Sequence, residues 1–297
     1  MKRLRPFAYF EPATMKEAVE IAVERGNGTY FLAGGTDLFV RMKRGEISPS
    51  TLVNLKRVKG LNQIDRDSKG GLRIGSLARI SEIEGSPLVL STHPVLAQAA
   101  GVLGSPSIRN LATLGGNIGR ASPASDTAPA LMVLQARVSV EGPHGKKELA
   151  LDQLFLEPGK TTLSSSEVIA FFHIAQMAPH TKAIYLKLGR RAAVDCALVG
   201  VAALIGRSTG GSEVTEVRIA LASVGPTPLR AHKAEEILLS GSLTEDRIKK
   251  AAEAAVEDAS PITDMRASLP YRKEMIKVLT HRALLEALNL SQGEKRT

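Results

Sequence analysis

The chain carries one cysteine, Cys196, in 297 residues. That excludes an internal disulfide and any multi-cysteine metal or iron–sulfur site built by this chain alone. Tryptophan is absent and aromatic residues amount to 4%, so little is available to stack on the bases of single-stranded nucleic acid. Nucleic acid is therefore not an expected partner. The six histidines (His93, His144, His173, His180, His232 and His281) form no H-E-x-x-H and no close-set cluster, and no metal site is expected. No apolar run approaches the ~20 residues of a membrane-spanning helix. The opening "MKRLRPFAYFEPATMKEAVE" lacks the apolar core of a secretory signal. A cytoplasmic location is the expectation.

Other absences narrow the chemistry. "EPGKTT" at 157–162 ends like a phosphate-binding P-loop, but Leu154 stands where the first glycine is required. "GGNIG" lacks the G-x-G-x-x-G spacing, and no serine lies in G-x-S-x-G. Kinase-like, hydrolytic and zinc chemistries have no support. His173, in a strand-like run, reads as a packed or hydrogen-bonded residue.

What is present is an ordinary globular balance, 43% hydrophobic, with a formal net charge of +9. The basic residues are scattered: "MKRLR" at the start, "RMKR" at 41–44, "GRR" at 189–191 and "EKRT" at the end. That pattern fits a solvated basic surface, or a face for an acidic partner protein.

"TMKEAVEIAVERG" reads as a helix, with Thr14 and Glu17 in capping-box spacing, Ala18, Ile21 and Ala22 on one face, and Gly26 past its end. "TYFLAGG", "TLVNLK" and "LRIGSL" read as short strands, with "DRDSKGG" a turn before the last. "SEIEGSPLVLSTHPVLAQAAGVLGS" returns to helix, Ser81 and Glu84 repeating the capping spacing. "DTAPALMVLQ" is a helix that Asp126 can cap. "RVSVEGPHGKKELAL" is a hairpin turning at Gly142 to Gly145, and "EVIAFFHIA" is a strand. Near residues 176–182 the texture shifts. "AIYLKLG", "CALVGVAALIG" and "VTEVRIALASVG" are three consecutive strands, followed by the helical stretches "SLTEDRIKKAAEAAVEDAS" and "SLPYRKEMIKVLTHRALLEALNL". Strands first and helices after define an α+β protein, with expected domains 1–177 and 178–297.

The remaining signal is a pair of glycine-rich loops, "FLAGGTDL" at 31–38 and "ATLGGNIGRASPASD" at 112–126. Each follows an apolar segment and offers consecutive backbone N–H groups, an arrangement that forms an anion-binding nest. Glycine also lets a bulky ligand approach the backbone. The hydroxyls of Thr36 and Thr113 and the amide of Asn117 add donors. Two nests from distant segments suit a diphosphate, whereas either Gly-Gly alone reads equally as a tight turn.

These two loops, in this order and followed by "YLKLGRRAAVDCALVGVAAL", resemble the FAD-binding medium subunits of molybdenum hydroxylases of the xanthine dehydrogenase and carbon monoxide dehydrogenase type. The resemblance covers nearly the whole chain. It implies a two-part FAD-binding domain of the vanillyl-alcohol-oxidase-like (PCMH) type, then a smaller α+β domain of three strands and helices. It implies non-covalent FAD. The backbone of Phe31, Leu32, Ala33, Gly34, Gly35, Thr36, Asp37 and Leu38, and of Thr113, Leu114, Gly115, Gly116 and Asn117, would hold the diphosphate and adjacent ribityl. Asp126 would hydrogen-bond the flavin nucleotide, Leu103 would pack on the adenine side, Ile169 would lie against the isoalloxazine, and Lys187 would sit near its polar edge.

The resemblance further implies an electron-transfer role, with a molybdenum cofactor on a large partner subunit and iron–sulfur clusters on a small one, in a dimer of heterotrimers. Electrons would pass through FAD to NAD, a quinone or another acceptor. The 4-hydroxybenzoyl-CoA reductase branch adds a four-iron cluster within this subunit; with Cys196 alone, such a cluster is not expected here. Two other readings stay open: a self-sufficient vanillyl-alcohol-type flavin oxidoreductase, and an assembly subunit that keeps the fold without flavin.

Overall fold

The structure, a computed structural model, describes residues 4–191, 194–209, 213–241 and 243–291. The basic ends at 1–3 and 294–297, and residues 210–212, lie outside the described residues.

Strand β1 (Ala8–Phe10) leads into helix α1 (Met15–Arg25), which starts and stops where its sequence predicts. Thr14 Oγ1 accepts from Glu17 N at 3.1 Å, and Glu17 Oε2 accepts from Ala13 N at 2.8 Å. Such a cap contributes about 1 kcal/mol. β2 (Thr29–Leu32), α2 (Leu38–Arg44) and β3 (Thr51–Asn54) follow, and a small parallel sheet forms in the order β1-β3-β2.

After β4 (Ile64–Arg66) and β5 (Leu72–Gly75), the predicted helix of residues 81–105 is broken into α3 (Ile80–Gly85), α4 (Pro87–Thr92) and α5 (Pro94–Gly101). Pro87 and Pro94 each occupy the first turn of a new helix, a position where their missing N–H costs nothing and where the preceding helix must stop. The capping pair also differs from the prediction. Glu82 Oε2 accepts from Arg79 N at 2.9 Å, Ser81 lies inside the first turn, and Glu84 pairs instead with Arg109 at 2.6 Å. Three short helices come next: α6 (Pro106–Arg109), α7 (Leu114–Gly119) and α8 (Thr127–Val133).

β6 (Arg137–Gly142) and β7 (Gly145–Ala150) form the predicted hairpin, Gly142 facing Gly145. β8 (Phe155–Glu157) and β9 (Lys160–Thr161) make a small ribbon, and β10 (Val168–Ile174) then enters the centre of an antiparallel sheet ordered β4-β5-β10-β6-β7. His173 is hydrogen-bonded there, its Nε2 lying 2.8 Å from Ser139 Oγ.

The three expected C-terminal strands are β11 (Thr181–Leu188), β12 (Val199–Arg207) and β13 (Val214–Ala222), extended by the two-residue β14 (Leu229–Arg230) into a four-stranded antiparallel sheet. Helix α9 (His232–Leu239), absent from the sequence reading, precedes the expected α10 (Glu245–Ala254) and α11 (Leu269–Ser291). The architecture is α+β, as expected.

Period-two alternation on β11 sorts its side chains between two cores. Ala183 and Tyr185 join the apolar cluster that holds α5, α8 and the large sheet. Ile184, Leu186 and Leu188 turn to the cluster of α9, α10 and α11. β12 is buried on both faces through Gly206. The C-terminal sheet is thus packed against the N-terminal half on one side, and this packing brings β11 to the start of α8.

Candidate functional site: a cleft between two sheets

A cleft of about 770 Å³ runs between the small parallel sheet and the α6–α8 segment that covers the large sheet. All of the predicted site residues line it except Leu32, Leu114 and Lys187. Leu32 and Leu114 are core residues, 3% and 0% exposed. They follow the inward phase of β2 and α7 and support the loops from behind.

The first glycine-rich loop is an open nest. Among the described residues, the backbone N–H groups of Gly34, Gly35, Thr36 and Asp37 have no hydrogen-bond partner within the chain. Gly35 has φ +77, the left-handed conformation that turns successive N–H groups the same way. Gly34 is required for a different reason: a Cβ there would lie 2.2 Å from the Leu111 carbonyl oxygen, where the loop rests on residues 111–112.

The second segment is not the nest that its glycines suggest. It forms α7, and its first donors are already engaged. Leu114 N donates to Ala78 O at 3.0 Å, Gly115 N to Ser76 O at 2.8 Å, and Asn117 N to Thr113 O at 2.9 Å. Gly116 N donates to Thr113 Oγ1 at 3.1 Å. The glycines serve close approach instead. A Cβ on Gly115 would lie 2.5 Å from Ser76 Cβ, and one on Gly116 would sit 2.9 Å from Thr113 Oγ1 and 3.7 Å from Ala33 Cβ, between the two loops.

The donor that this segment does offer is a side chain. Asn117 Oδ1 accepts from Ser125 Oγ at 2.7 Å and from Thr127 Oγ1 at 2.6 Å, which fixes the amide and leaves Nδ2 without a partner among the described residues. Ser76 Oγ, buried at the edge of the cleft, is likewise unpartnered. Sequence reading missed Ser76; its only signal is "GS" at the end of β5. Asp37 and Arg120 join the two loops by an ion pair of 2.8 Å.

Asp126 stands at the N-cap position of α8 but makes no capping bond. Its Oδ1 accepts from Tyr185 Oη at 2.9 Å and its Oδ2 from Lys187 Nζ at 2.8 Å. Lys187 also donates to Val102 O at 3.0 Å. Lys187 therefore reaches the cleft only through Asp126. Burial pushes the Asp126 carboxyl above its ordinary value, opposed by the Lys187 charge and by the bonds from Lys187 and Tyr185. Burial, and then the Asp126 charge, push the Tyr185 phenol well up.

Ile169 is aimed by an irregularity. The β10–β6 register shifts between Ile169 and Phe171, so Ile169 joins the cluster of the helices while Ala170 and Phe171 both turn to the cluster of the small sheet. Val194, Asp195 and Cys196 close the cleft from the C-terminal half, Val194 N donating to Gly104 O at 3.3 Å.

Unpaired N–H groups in a nest, orphaned polar atoms and apolar walls at Leu103 and Ile169 define a protein that holds a phosphorylated flavin or dinucleotide. The residues present fit FAD, an elongated molecule with a diphosphate between two flat ring systems. The sequence matches the family described as "FAD binding domain in molybdopterin dehydrogenase" over residues 5–176, and the CO dehydrogenase flavoprotein C-terminal domain over 184–287. The chain belongs to this family and is an FAD-dependent oxidoreductase subunit of the xanthine dehydrogenase and carbon monoxide dehydrogenase type.

It is 32% identical to the carbon monoxide dehydrogenase medium chain of Hydrogenophaga pseudoflava, covering 94% of this chain and 96% of that one. It is 27% identical to a putative xanthine dehydrogenase FAD-binding subunit of Escherichia coli (strain K12), covering 97% and 98%. A solved structure of the Hydrogenophaga pseudoflava carbon monoxide dehydrogenase, which lacks the Mo-pyranopterin moiety of its cofactor, superposes with a TM-score of 0.92 over 96% of this chain and 98% of that one, at 32% identity.

Proposed function

We propose that this chain is the FAD-carrying electron-transfer subunit of a multi-subunit molybdenum hydroxylase, with residues 1–177 as the FAD domain and 178–297 as a C-terminal domain. Bound FAD would supply reversible electron transfer, taking electrons from iron–sulfur clusters of a small partner subunit and delivering them to an acceptor such as NAD or a quinone. The molybdenum cofactor would lie on a large partner subunit, two such heterotrimers would pair, and the complex would be cytoplasmic. Among the described residues, no helix is long and apolar enough to cross a membrane.

The observation that carries the reading is the row of unpartnered N–H groups from Gly34 to Asp37 at the wall of the cleft. These would take the diphosphate, and Asn117 Nδ2 and Ser76 Oγ would add donors. Leu103 and Ile169 would pack on the adenine side and on the isoalloxazine. Asp126 would accept from a cofactor hydroxyl: a carboxylate has about four lone-pair sites, and Tyr185 and Lys187 use two.

Purification through a tag on this chain from its native host tests the proposal. We expect about one FAD per chain, released into the supernatant by acid precipitation, together with a large and a small subunit containing molybdenum and iron. FMN, or a chromophore that stays in the pellet, refutes the cofactor assignment. Flavin with no co-purifying subunits favours the self-sufficient oxidoreductase, and a colourless complex favours the flavin-free assembly subunit.

A further inference from the structure

Tyr185 belongs to the C-terminal sheet and does not line the cleft, yet its hydroxyl is spent on a residue that does. The side chain is 5% exposed, and its phenol donates to Asp126 Oδ1 at 2.9 Å. The room for that hydroxyl is made by a glycine. Gly200 on β12 faces Lys187 in the ladder, and a Cβ there would lie 2.6 Å from Tyr185 Oη. The strand is held from its other side as well, since Tyr185 N donates to Gln98 Oε1 on α5 at 3.1 Å. Two residues further along the same face, Lys187 delivers its ammonium to Asp126 Oδ2. A buried phenol, a largely buried ammonium and a glycine gap thus converge on one cleft carboxylate.

We infer that Tyr185 is a positioning residue for the cofactor: together with Lys187 it fixes the Asp126 carboxylate, so that the C-terminal sheet completes the binding cleft. This rests on the reading of the cleft as the FAD site. With one oxygen held by each donor, Asp126 cannot rotate, and its free lone pairs keep a single direction toward the cleft. The neighbouring Ser125 and Thr127 hydroxyls are tied to Asn117, so the backbone on both sides of Asp126 is held too. Without the phenol, the carboxylate keeps one strong partner, gains a free rotor, and loses a donor that favours its ionised form.

The titratable groups facing Asp126 among the described residues are Lys187 and Tyr185. The packed α5 segment contributes the Gln98 amide and the Val102 carbonyl, and α7 contributes Asn117, all uncharged. Arg218 of β13 bonds to Val133 O, at the opposite end of α8. Protonation of Asp126 is therefore set by its burial, which favours the proton, against the two donors on β11, which oppose it.

Fluorescence titration of the full chain with FAD between pH 5.5 and 8.5 tests the inference, using wild type, Tyr185→Phe, Gly200→Ala and the double variant. Tyr185→Phe should bind FAD about tenfold more weakly at neutral pH, as expected for losing a hydrogen bond to a charged group. Its affinity should fall further as the pH drops, because the carboxylate takes up a proton at higher pH than in wild type. Gly200→Ala should do the same by displacing the hydroxyl, and should add almost nothing in the Tyr185→Phe background, where no hydroxyl remains to be displaced. A loss uniform across pH, unchanged affinity of Tyr185→Phe, or additive effects of the two substitutions would each overturn the positioning role while leaving the cleft assignment intact. No FAD binding by the wild-type chain overturns both.

Discussion

Replacing Asp126 by asparagine should be costly for stability, because it leaves Lys187 as a buried cation without its counter-charge. The side chains of the pair are 10% and 7% exposed and 2.8 Å apart. Removing one member of such a pair costs about 3–5 kcal/mol. Lys187 keeps the Val102 carbonyl, so the lower figure applies, about 3 kcal/mol. For a chain of this size that is a drop of roughly 5 °C in unfolding midpoint. Lys187→Met leaves the opposite orphan, a buried carboxylate with only Tyr185 as donor, and this one can be neutralised by a proton. Burial already raises the Asp126 pKa above its ordinary 3.8, and removing Lys187 raises it further. A carboxyl with a raised folded-state pKa binds its proton more readily folded than unfolded. Its stability contribution is present below the unfolded value and is lost as pH rises through the folded one. The deficit of Lys187→Met should therefore shrink in acid and be greatest near pH 8, and the Asp126→Asn deficit should not shrink. The double variant should be about 2 kcal/mol better than the sum of the two singles. Thermal unfolding of all four proteins from pH 5 to 8 measures this. An Asp126→Asn deficit below about 1 kcal/mol, typical of exposed ion pairs, would refute the buried-pair argument, as would a pH-independent Lys187→Met.

Three further outcomes follow from the cleft and its surroundings. Gly116→Val should abolish FAD retention and also lower the unfolding midpoint somewhat, because its Cβ would meet the capping Thr113 Oγ1 at 2.9 Å and its side chain would fill the space toward Ala33 Cβ. Equal FAD affinity by fluorescence titration would contradict this. Gly34→Ala should cost roughly 3 kcal/mol, since its Cβ would meet the Leu111 carbonyl at 2.2 Å; denaturant unfolding reads the loss. His93 is fully buried, with Nε2 2.9 Å from Ala175 O. Burial lowers its pKa from 6.5, with the Ala175 carbonyl opposing and Arg66 assisting. Its stabilising contribution is thus present above pH 6.5 and lost as pH falls through the lower folded value. The unfolding midpoint should decline between pH 6.5 and 5 in wild type and much less in His93→Gln.

Much of the scaffold was legible because its signals are local. The Thr14 and Glu17 cap, the Gly142–Gly145 hairpin and the alternation along β11 need only a few neighbouring residues each. The helix predicted over residues 81–105 breaks where Pro87 and Pro94 restart it, and the capping spacing at Ser81 misleads because spacing alone cannot show which backbone N–H is left over. Helix α9 was missed because it is short and its N-cap, Ala231, makes no side-chain capping bond. At the site, the sequence marks both glycine-rich segments alike as anion nests, and their donor roles cannot be told apart from it. A Gly-Gly in a left-handed turn and a Gly-Gly in the first turn of α7 have the same letters. Only the bonds to Ser76 and Ala78 reveal that the second set of donors is engaged.

The sequence by itself determined the α+β class, the two glycine-rich segments and the resemblance to the FAD subunits, because glycine spacing and hydrophobic period are properties of the chain read in order. Tertiary structure decided which atoms are free. It left the N–H groups of Gly34 to Asp37 open, turned Ile169 toward the cleft by a register shift, and carried Lys187 and Tyr185 across 61 and 59 residues of sequence to a single carboxylate. Such pairings depend on where the C-terminal sheet packs against α8, and no short stretch of sequence encodes that distance.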